Sequence, residues 1–156
     1  MLFGSSGIRK LFAQELLSLG PLVGAAVASN AKRVVLATDS RTSRNTLSDV
    51  ILSGLISGGA EVLFGGIAPT PSVALAAGKA DAGVMITASH NPENYNGYKL
   101  FRPDGSSYTV AQQEEIERRI AEPVYAAWDK QGFVSSVDII TPHKEKSLQK
   151  FLSLRA

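Results

Sequence analysis

The sequence predicts an α/β domain in three layers: a mostly parallel mixed sheet of about four strands, flanked by helices. Three observations carry that prediction. Residues 33–38 read as a buried parallel strand, residues 61–64 as a further short strand, and residues 84–86 as an apolar run of the kind that fills a sheet covered on both faces. Segments with helical spacing lie between them, and strand, helix, strand, helix, strand is the pattern of right-handed parallel crossovers. Polar loops follow the first and third runs, and these should open on the same edge of the sheet, where functional loops of open α/β sheets sit.

Taken in order, Leu2-Phe3 enters the sheet or packs beneath it, and Gly4-Ser-Ser-Gly7 frees the backbone to bend before Ile8-Arg9. Residues 11–19 have helical spacing broken at Gly20-Pro21. A second helical stretch resumes over residues 22–28, with Pro21 as its first residue. The helix at residues 46–57 places Leu47, Val50, Ile51 and Leu55 on one face and ends at Gly58-Gly59. The segment from Gly65 to Pro71 leads into a helix through residues 72–77, and residues 98–101 form a returning strand. Pro103-Asp-Gly105 turns the chain into an amphipathic helix at residues 110–122, whose Glu114, Glu115, Glu117, Arg118 and Arg119 read as a solvated face. Residues 137–140 are expected to be a last edge strand. Residues 141–146 are polar and look like a domain boundary, and the remainder is too short to fold alone.

At 156 residues the chain is one domain's worth. Its 44% hydrophobic and 19% charged residues are those of a globular protein, and no apolar run approaches the roughly 20 residues needed to span a bilayer. No membrane partner is expected. The formal charge of +2 is too small, and too evenly spread, to argue for nucleic acid. The absence of cysteine excludes disulfides and thiol chemistry and fits a cytoplasmic enzyme. The amino terminus has no charged-then-apolar leader pattern, so neither cleavage nor export is expected.

The stretch from Gly83 to Phe101 organises the rest. An apolar strand ends at Thr87, where polarity begins, and Asn91-Pro92 and the segment from Asn94 to Gly97 are turn signals, which exposes Ser89 and His90 at a strand end. Lys99, on the returning strand, can converge with them across one loop mouth. No Gly-x-Ser-x-Gly elbow occurs, and adjacent side chains in an extended loop diverge, which argues against a Ser89–His90 hydrolase pair. Asp39 either caps the helix that follows it or braces the loop, and Arg41 either holds a phosphate or pairs with a surface carboxylate.

Thr87-Ala-Ser-His-Asn-Pro92 followed by Asn96-Gly-Tyr-Lys99 resembles the phosphoserine loop of the α-D-phosphohexomutases, the phosphomannomutase and phosphoglucomutase family. Phe3-Gly-Ser-Ser-Gly-Ile-Arg9 resembles that family's amino-terminal segment, with Lys10 standing where the family usually has glycine. By this resemblance residues 1–140 are the family's first domain, and residues 141–156 are a linker toward a second domain. The resemblance implies that Ser89 is carried as phosphoserine, donates its phosphoryl group to a hexose monophosphate and recovers it from the bisphosphate at the other sugar hydroxyl. It further implies catalytic roles for Ser89, Lys99, Arg9 and His90, with Ser6, Arg9, His90 and Lys99 contacting substrate. A Mg²⁺ ion is implied, with only Ser89 or its phosphate as a ligand from this chain, as is glucose or mannose 1,6-bisphosphate as activator. The spelling of residues 91–97 looks most like phosphomannomutase or phosphoglucomutase members, phosphoglucosamine mutase being the near alternative and a phosphosugar-binding module without turnover a further one. The isolated chain is expected to fold and to catalyse nothing by itself.

Overall fold

The strands expected from apolar runs lie side by side, and two shorter strands close the sheet at its edges. The computed structural model describes residues 1–5 and 7–155. Along the chain come β1 (Ile8–Leu11), α1 (Gln14–Ala28), β2 (Arg33–Thr38), α2 (Arg44–Ser57), β3 (Glu61–Ile67), α3 (Thr70–Ala76), a 3₁₀ turn (Ala77–Lys79) and β4 (Ala82–Ile86). They are followed by β5 (Tyr95–Phe101), α4 (Val110–Ala121), β6 (Phe133–Ser136) and α5 (Ile140–Ser153). The sheet order is β1-β5-β4-β2-β3-β6. β4, β2, β3 and β6 run parallel to one another, and β5 is antiparallel to both β4 and β1. The fold class is as predicted, with six strands instead of about four.

Helices cover both faces of the sheet, which is why β2 and β4 read as continuous apolar runs. Val34, Leu36, Val84, Ile86, Tyr98 and Leu100 face a core made with Leu16, Val23, Leu47, Ile51, Leu55 and Ile116 of α1, α2 and α4. The alternate positions Val35, Ala37, Met85 and Phe101 face Val73, Ala77 and Ile139 on the side of α3 and α5.

Four local expectations change. α1 is continuous through Pro21. The proline costs one backbone bond and some ring crowding, yet the buried surface from Leu16 to Val27 extends across it without interruption. Small residues let α2 lie against this turn: a Cβ on Gly54 would stand 2.0 Å from the Pro21 carbonyl oxygen, and one on Gly24 2.4 Å from that of Ile51. Gly54→Ala should therefore lower stability by about 1–3 kcal/mol through overpacking, although alanine is the better helix former. The check is a thermal melt, in which Tm should fall by roughly 2–4 °C for each kcal/mol; an unchanged or raised Tm would contradict the close approach.

The second change is at β1. It was hidden because only Ile8 of its four residues is fully buried, and two basic residues follow. Third, the last edge strand is β6 rather than residues 137–140. All four of its residues are exposed, so it carries no buried pattern. Ile139, expected in that strand, instead drops onto the sheet beside Gly65, where any added Cβ would meet it at 2.7 Å. Residues 140–153 are a helix whose first free N–H groups, those of Ile140 and Thr141, donate to Asp138 Oδ1, and His143 Nδ1 lies 2.8 Å from Ser72 Oγ of α3. Fourth, the acidic run of α4 is not wholly a solvated face: Glu117 Oε1 accepts from Leu2 N at 2.6 Å and Phe3 N at 3.3 Å, tying down the segment that leads to β1. Among the described residues no helix is long and apolar enough to cross a membrane.

Candidate active site

The connections between strands decide where a site can form. β2 leads through α2 to β3 on one side, and β3 leads back through α3 to β4 on the other side of β2. The carboxyl ends of β2 and β4 are thus adjacent where the strand order reverses, the place where open α/β sheets leave a crevice for ligands. Asp39 N donates to Ile86 O at 3.0 Å and joins the two ends. The loops carrying Asp39 and Ser89 open on one edge, as the sequence predicted.

Ser89 is exposed at the tip of the loop after β4 and has φ of +57°, the one positive φ outside glycine among the described residues. A left-handed serine costs on the order of 1–3 kcal/mol and persists where surrounding bonds hold it. Ser89 N donates to Thr87 Oγ1 at 2.9 Å, and Asn91 N closes the turn on Ala88 O at 3.1 Å. Because the backbone turns here instead of extending, Ser89 Oγ and His90 Nδ1 come within 3.2 Å. The expected divergence of these neighbours is corrected by that turn. The pair can pass a proton, or His90 can hydrogen-bond an oxygen attached at Ser89.

Beneath the loop lies a polar brace. Asp39 Oδ2 accepts from Thr87 Oγ1 at 2.8 Å and from Arg41 Nε at 3.2 Å, while Asp39 Oδ1 accepts from Arg41 N at 3.0 Å. Arg41 Nη1 donates to Pro92 O and Tyr95 O at 2.6 and 3.1 Å, and its Nη2 donates to Ser89 O and Asn91 O at 2.9 and 2.7 Å. Of the roles left open for Asp39 and Arg41, the structure shows the brace and the carboxylate pair. Asn96, wholly buried, donates from Nδ2 to Ser43 Oγ at 2.8 Å and so ties the start of β5 to the same loop.

Arg9 and Lys99 form a second group beside the first. Arg9 stands opposite Gly97, and Lys99 is two residues further along β5 on the same face, so the two are diagonal neighbours, within reach of long side chains. Gly97 leaves no side chain between them, and a Cβ there would sit 1.9 Å from Ile8 O. Lys99 pairs with Met85, below the loop, and its Nζ rests 5.3 Å from the centre of the Phe101 ring. The sequence allows Lys99 to converge with Ser89 and His90 across the loop mouth; in this structure its ammonium lies over the Phe101 ring, a cation–π contact. Gly4 N donates to Gly7 O at 2.9 Å, and Leu2, Gly4, Ser5, Gly7 and Arg9 line a small cavity of about 120 Å³. Gly7 has φ of +128° and would place a Cβ 2.6 Å from Tyr98 O, so this turn needs glycine on both counts. Ser6, the remaining predicted contact residue, lies outside the described residues.

Two groups important to this geometry, Arg41 and Thr87, are not among the site residues expected from the sequence. Arg41 carried a readable signal, an Asp-x-Arg directly after a buried strand at the predicted crevice. Thr87 carried another, the first hydroxyl beyond an apolar strand.

Comparison with known proteins decides what this arrangement belongs to. The family model described as phosphoglucomutase/phosphomannomutase, alpha/beta/alpha domain I, matches residues 1–126. The chain belongs to the α-D-phosphohexomutase family and is its first domain. It is 43% identical over 136 residues to a phosphoglucosamine mutase of Methanococcus vannielii, covering 86% of this chain and 30% of that protein. It is 42% identical over 154 residues to a probable phosphoglucosamine mutase of Methanococcoides burtonii, covering 95% and 35%. A phosphoglucomutase/phosphomannomutase family protein of Burkholderia thailandensis superimposes with a TM-score of 0.78 at 26% identity, covering 91% of this chain and 34% of the other. The phosphohexomutase domain thus spans about a third of the length of these relatives.

Proposed function

We propose that this chain is the amino-terminal catalytic domain of a phosphohexomutase that carries a phosphoryl group on Ser89 and interconverts hexose 1-phosphates and 6-phosphates. The observation that carries the reading is Ser89 itself: a left-handed, exposed hydroxyl at the switch point of the sheet, within 3.2 Å of His90 Nδ1, in a phosphohexomutase domain. In the proposed cycle the free sugar hydroxyl attacks the phosphorus of phosphoserine, the P–O bond to Ser89 breaks, and a hexose 1,6-bisphosphate and free Ser89 form. The bisphosphate then presents its other phosphate to Ser89 Oγ, which attacks in turn, restoring phosphoserine and releasing the isomeric monophosphate. Positioning and charge stabilisation supply most of the catalysis in such transfers. His90 holds the transferring oxygens at the loop, Arg9 and Lys99 supply positive charge, and Ser6 adds a contact to substrate.

A divalent cation such as Mg²⁺ would neutralise charge on the transferring group. Among the described residues no three His, Asp or Glu side chains converge as a metal site, and both Asp39 oxygens are already engaged. These residues alone do not make a cation cage. We assign Ser89, or the phosphoryl oxygens on it, as the contact from this chain, the other ligands coming from the rest of a longer enzyme.

Which sugar is used divides two readings. The phosphoglucosamine mutases among the relatives favour an amino-sugar phosphate. The spelling from Asn91 to Gly97 favours glucose or mannose phosphate. The test is turnover of glucosamine, mannose and glucose monophosphates by a full-length enzyme carrying this domain, with Mg²⁺ and the matching 1,6-bisphosphate as activator. Activity with at least one sugar, dependent on bisphosphate, is expected. Calorimetric binding of a sugar phosphate by the folded enzyme without turnover of any would overturn the mutase reading in favour of a binding module.

A further inference from the structure

Arg41 is the most fully engaged side chain near the loop. A guanidinium has five N–H donors in a planar fork, and here all five are used: Nε on Asp39, two from Nη1 on Pro92 O and Tyr95 O, two from Nη2 on Ser89 O and Asn91 O. The acceptors lie 48 to 54 residues away in sequence, apart from Asp39, and include the carbonyl of Ser89 itself. The Arg41 side chain is 11% exposed. No donor remains for a substrate phosphate. A lysine, with three donors on one nitrogen, cannot reach acceptors spread from residue 89 to residue 95.

The brace also closes on itself. Asp39 fixes the guanidinium through Nε and the Arg41 backbone N–H, and takes the Thr87 hydroxyl, whose oxygen receives Ser89 N–H. Each peptide unit is planar, so drawing the carbonyls of Ser89 and Pro92 inward to the guanidinium turns the N–H groups of His90 and Glu93 outward. Carbonyl oxygens that would repel a phosphoryl group are thereby held on the far side of the loop, and the left-handed turn at Ser89 is fixed from beneath.

We propose that Arg41 is a positioning residue for phosphoryl transfer: it cages the loop carbonyls of residues 89, 91, 92 and 95, with Asp39 and Thr87 as its braces, and presets the Ser89 hydroxyl without touching substrate. This rests on the reading of Ser89 as the phosphoryl carrier. Displacement of a reacting group by about 1 Å costs on the order of 10² in rate. In a full-length mutase carrying this domain, Arg41→Ala should lower kcat by about 10² or more while KM for the sugar phosphate changes by less than about threefold. Arg41→Lys should recover less than about a tenth of the lost rate, whereas free guanidinium should partly rescue Arg41→Ala. Thr87→Val, which keeps the shape but loses the hydroxyl, should lower kcat in the same direction if Arg41→Ala does not fold.

Hydrogen exchange separates the outcomes. Amides in the loop from Ser89 to Tyr95 should exchange faster in the Arg41 and Thr87 variants, and those of the β2 and β4 core should not. A raised KM with kcat unchanged would overturn the proposal by making Arg41 a substrate ligand. So would unchanged kcat and unchanged loop exchange in a folded variant. If the unaltered enzyme turns over no sugar phosphate, the mutase reading fails on its own, and loop exchange alone then decides whether Arg41 cages the loop.

Discussion

Ser89→Ala in a full-length enzyme carrying this domain should reduce mutase turnover to background, even with hexose 1,6-bisphosphate supplied. Ser89 is the loop residue that combines a hydroxyl, exposure and a position at the crevice. Thr87, the nearest other hydroxyl, is buried and spends its oxygen between Asp39 and Ser89 N. Without a group able to accept the phosphoryl from the bisphosphate, the cycle has no return path. The fold should be untouched, because the Ser89 side chain is exposed and the turn is held by bonds to its backbone from Thr87 and Arg41. Steady-state kinetics paired with a thermal melt makes the check: an unchanged Tm with lost turnover is expected, and wild-type turnover in the variant would remove Ser89 from the mechanism.

The second large effect should come from the two cations. Lys99→Met and Arg9→Gln should each lower kcat/KM by about 10² or more, the scale of a lost contact to charge in the transition state. The transferring phosphoryl spreads negative charge over its oxygens, and compensation has to come from groups fixed nearby. Lys99 Nζ now rests over the Phe101 ring, an attraction worth roughly 0.5–1 kcal/mol at exposed sites. A phosphate offers an ammonium a stronger, charge-assisted hydrogen bond, so a swing from the ring toward the loop is energetically open. A change of less than about twofold at both positions would leave them as structural strand residues, contrary to the role proposed for them.

Much of this was legible from the sequence wherever a local pattern has one physical meaning. The residues from Val34 to Ala37 and from Val84 to Ile86 are apolar without alternation because both faces of their strands are covered, and with the alternation of strands and helices that points to a parallel sheet. Ser89 was readable as exposed because turn residues follow it. Edge strands were harder: β6 buries nothing, and β1 buries Ile8 fully and little else, so neither writes a period into the sequence. The continuity of α1 through Pro21 depends on α2 lying against it, which no reading of α1 alone reveals. The Arg41 cage joins residues about fifty positions apart. Its acceptors are backbone carbonyls, which have the same chemistry whatever the side chain, so they leave no trace in the residue types of the loop. The nearness of His90 Nδ1 to Ser89 Oγ depends likewise on one left-handed backbone angle that serine does not announce.

Phosphopeptide mapping with a chase tests the central claim most directly. A full-length enzyme carrying this domain is phosphorylated by hexose 1,6-bisphosphate, and one half is digested to locate the phosphate by tandem mass spectrometry. The other half is mixed rapidly with sugar monophosphate, and loss of the phosphopeptide is followed in time. The phosphate should lie on Ser89 and should leave at a rate no slower than kcat, appearing in the bisphosphate. Phosphate on another residue, or a phosphorylated Ser89 that the sugar does not discharge, would contradict the account.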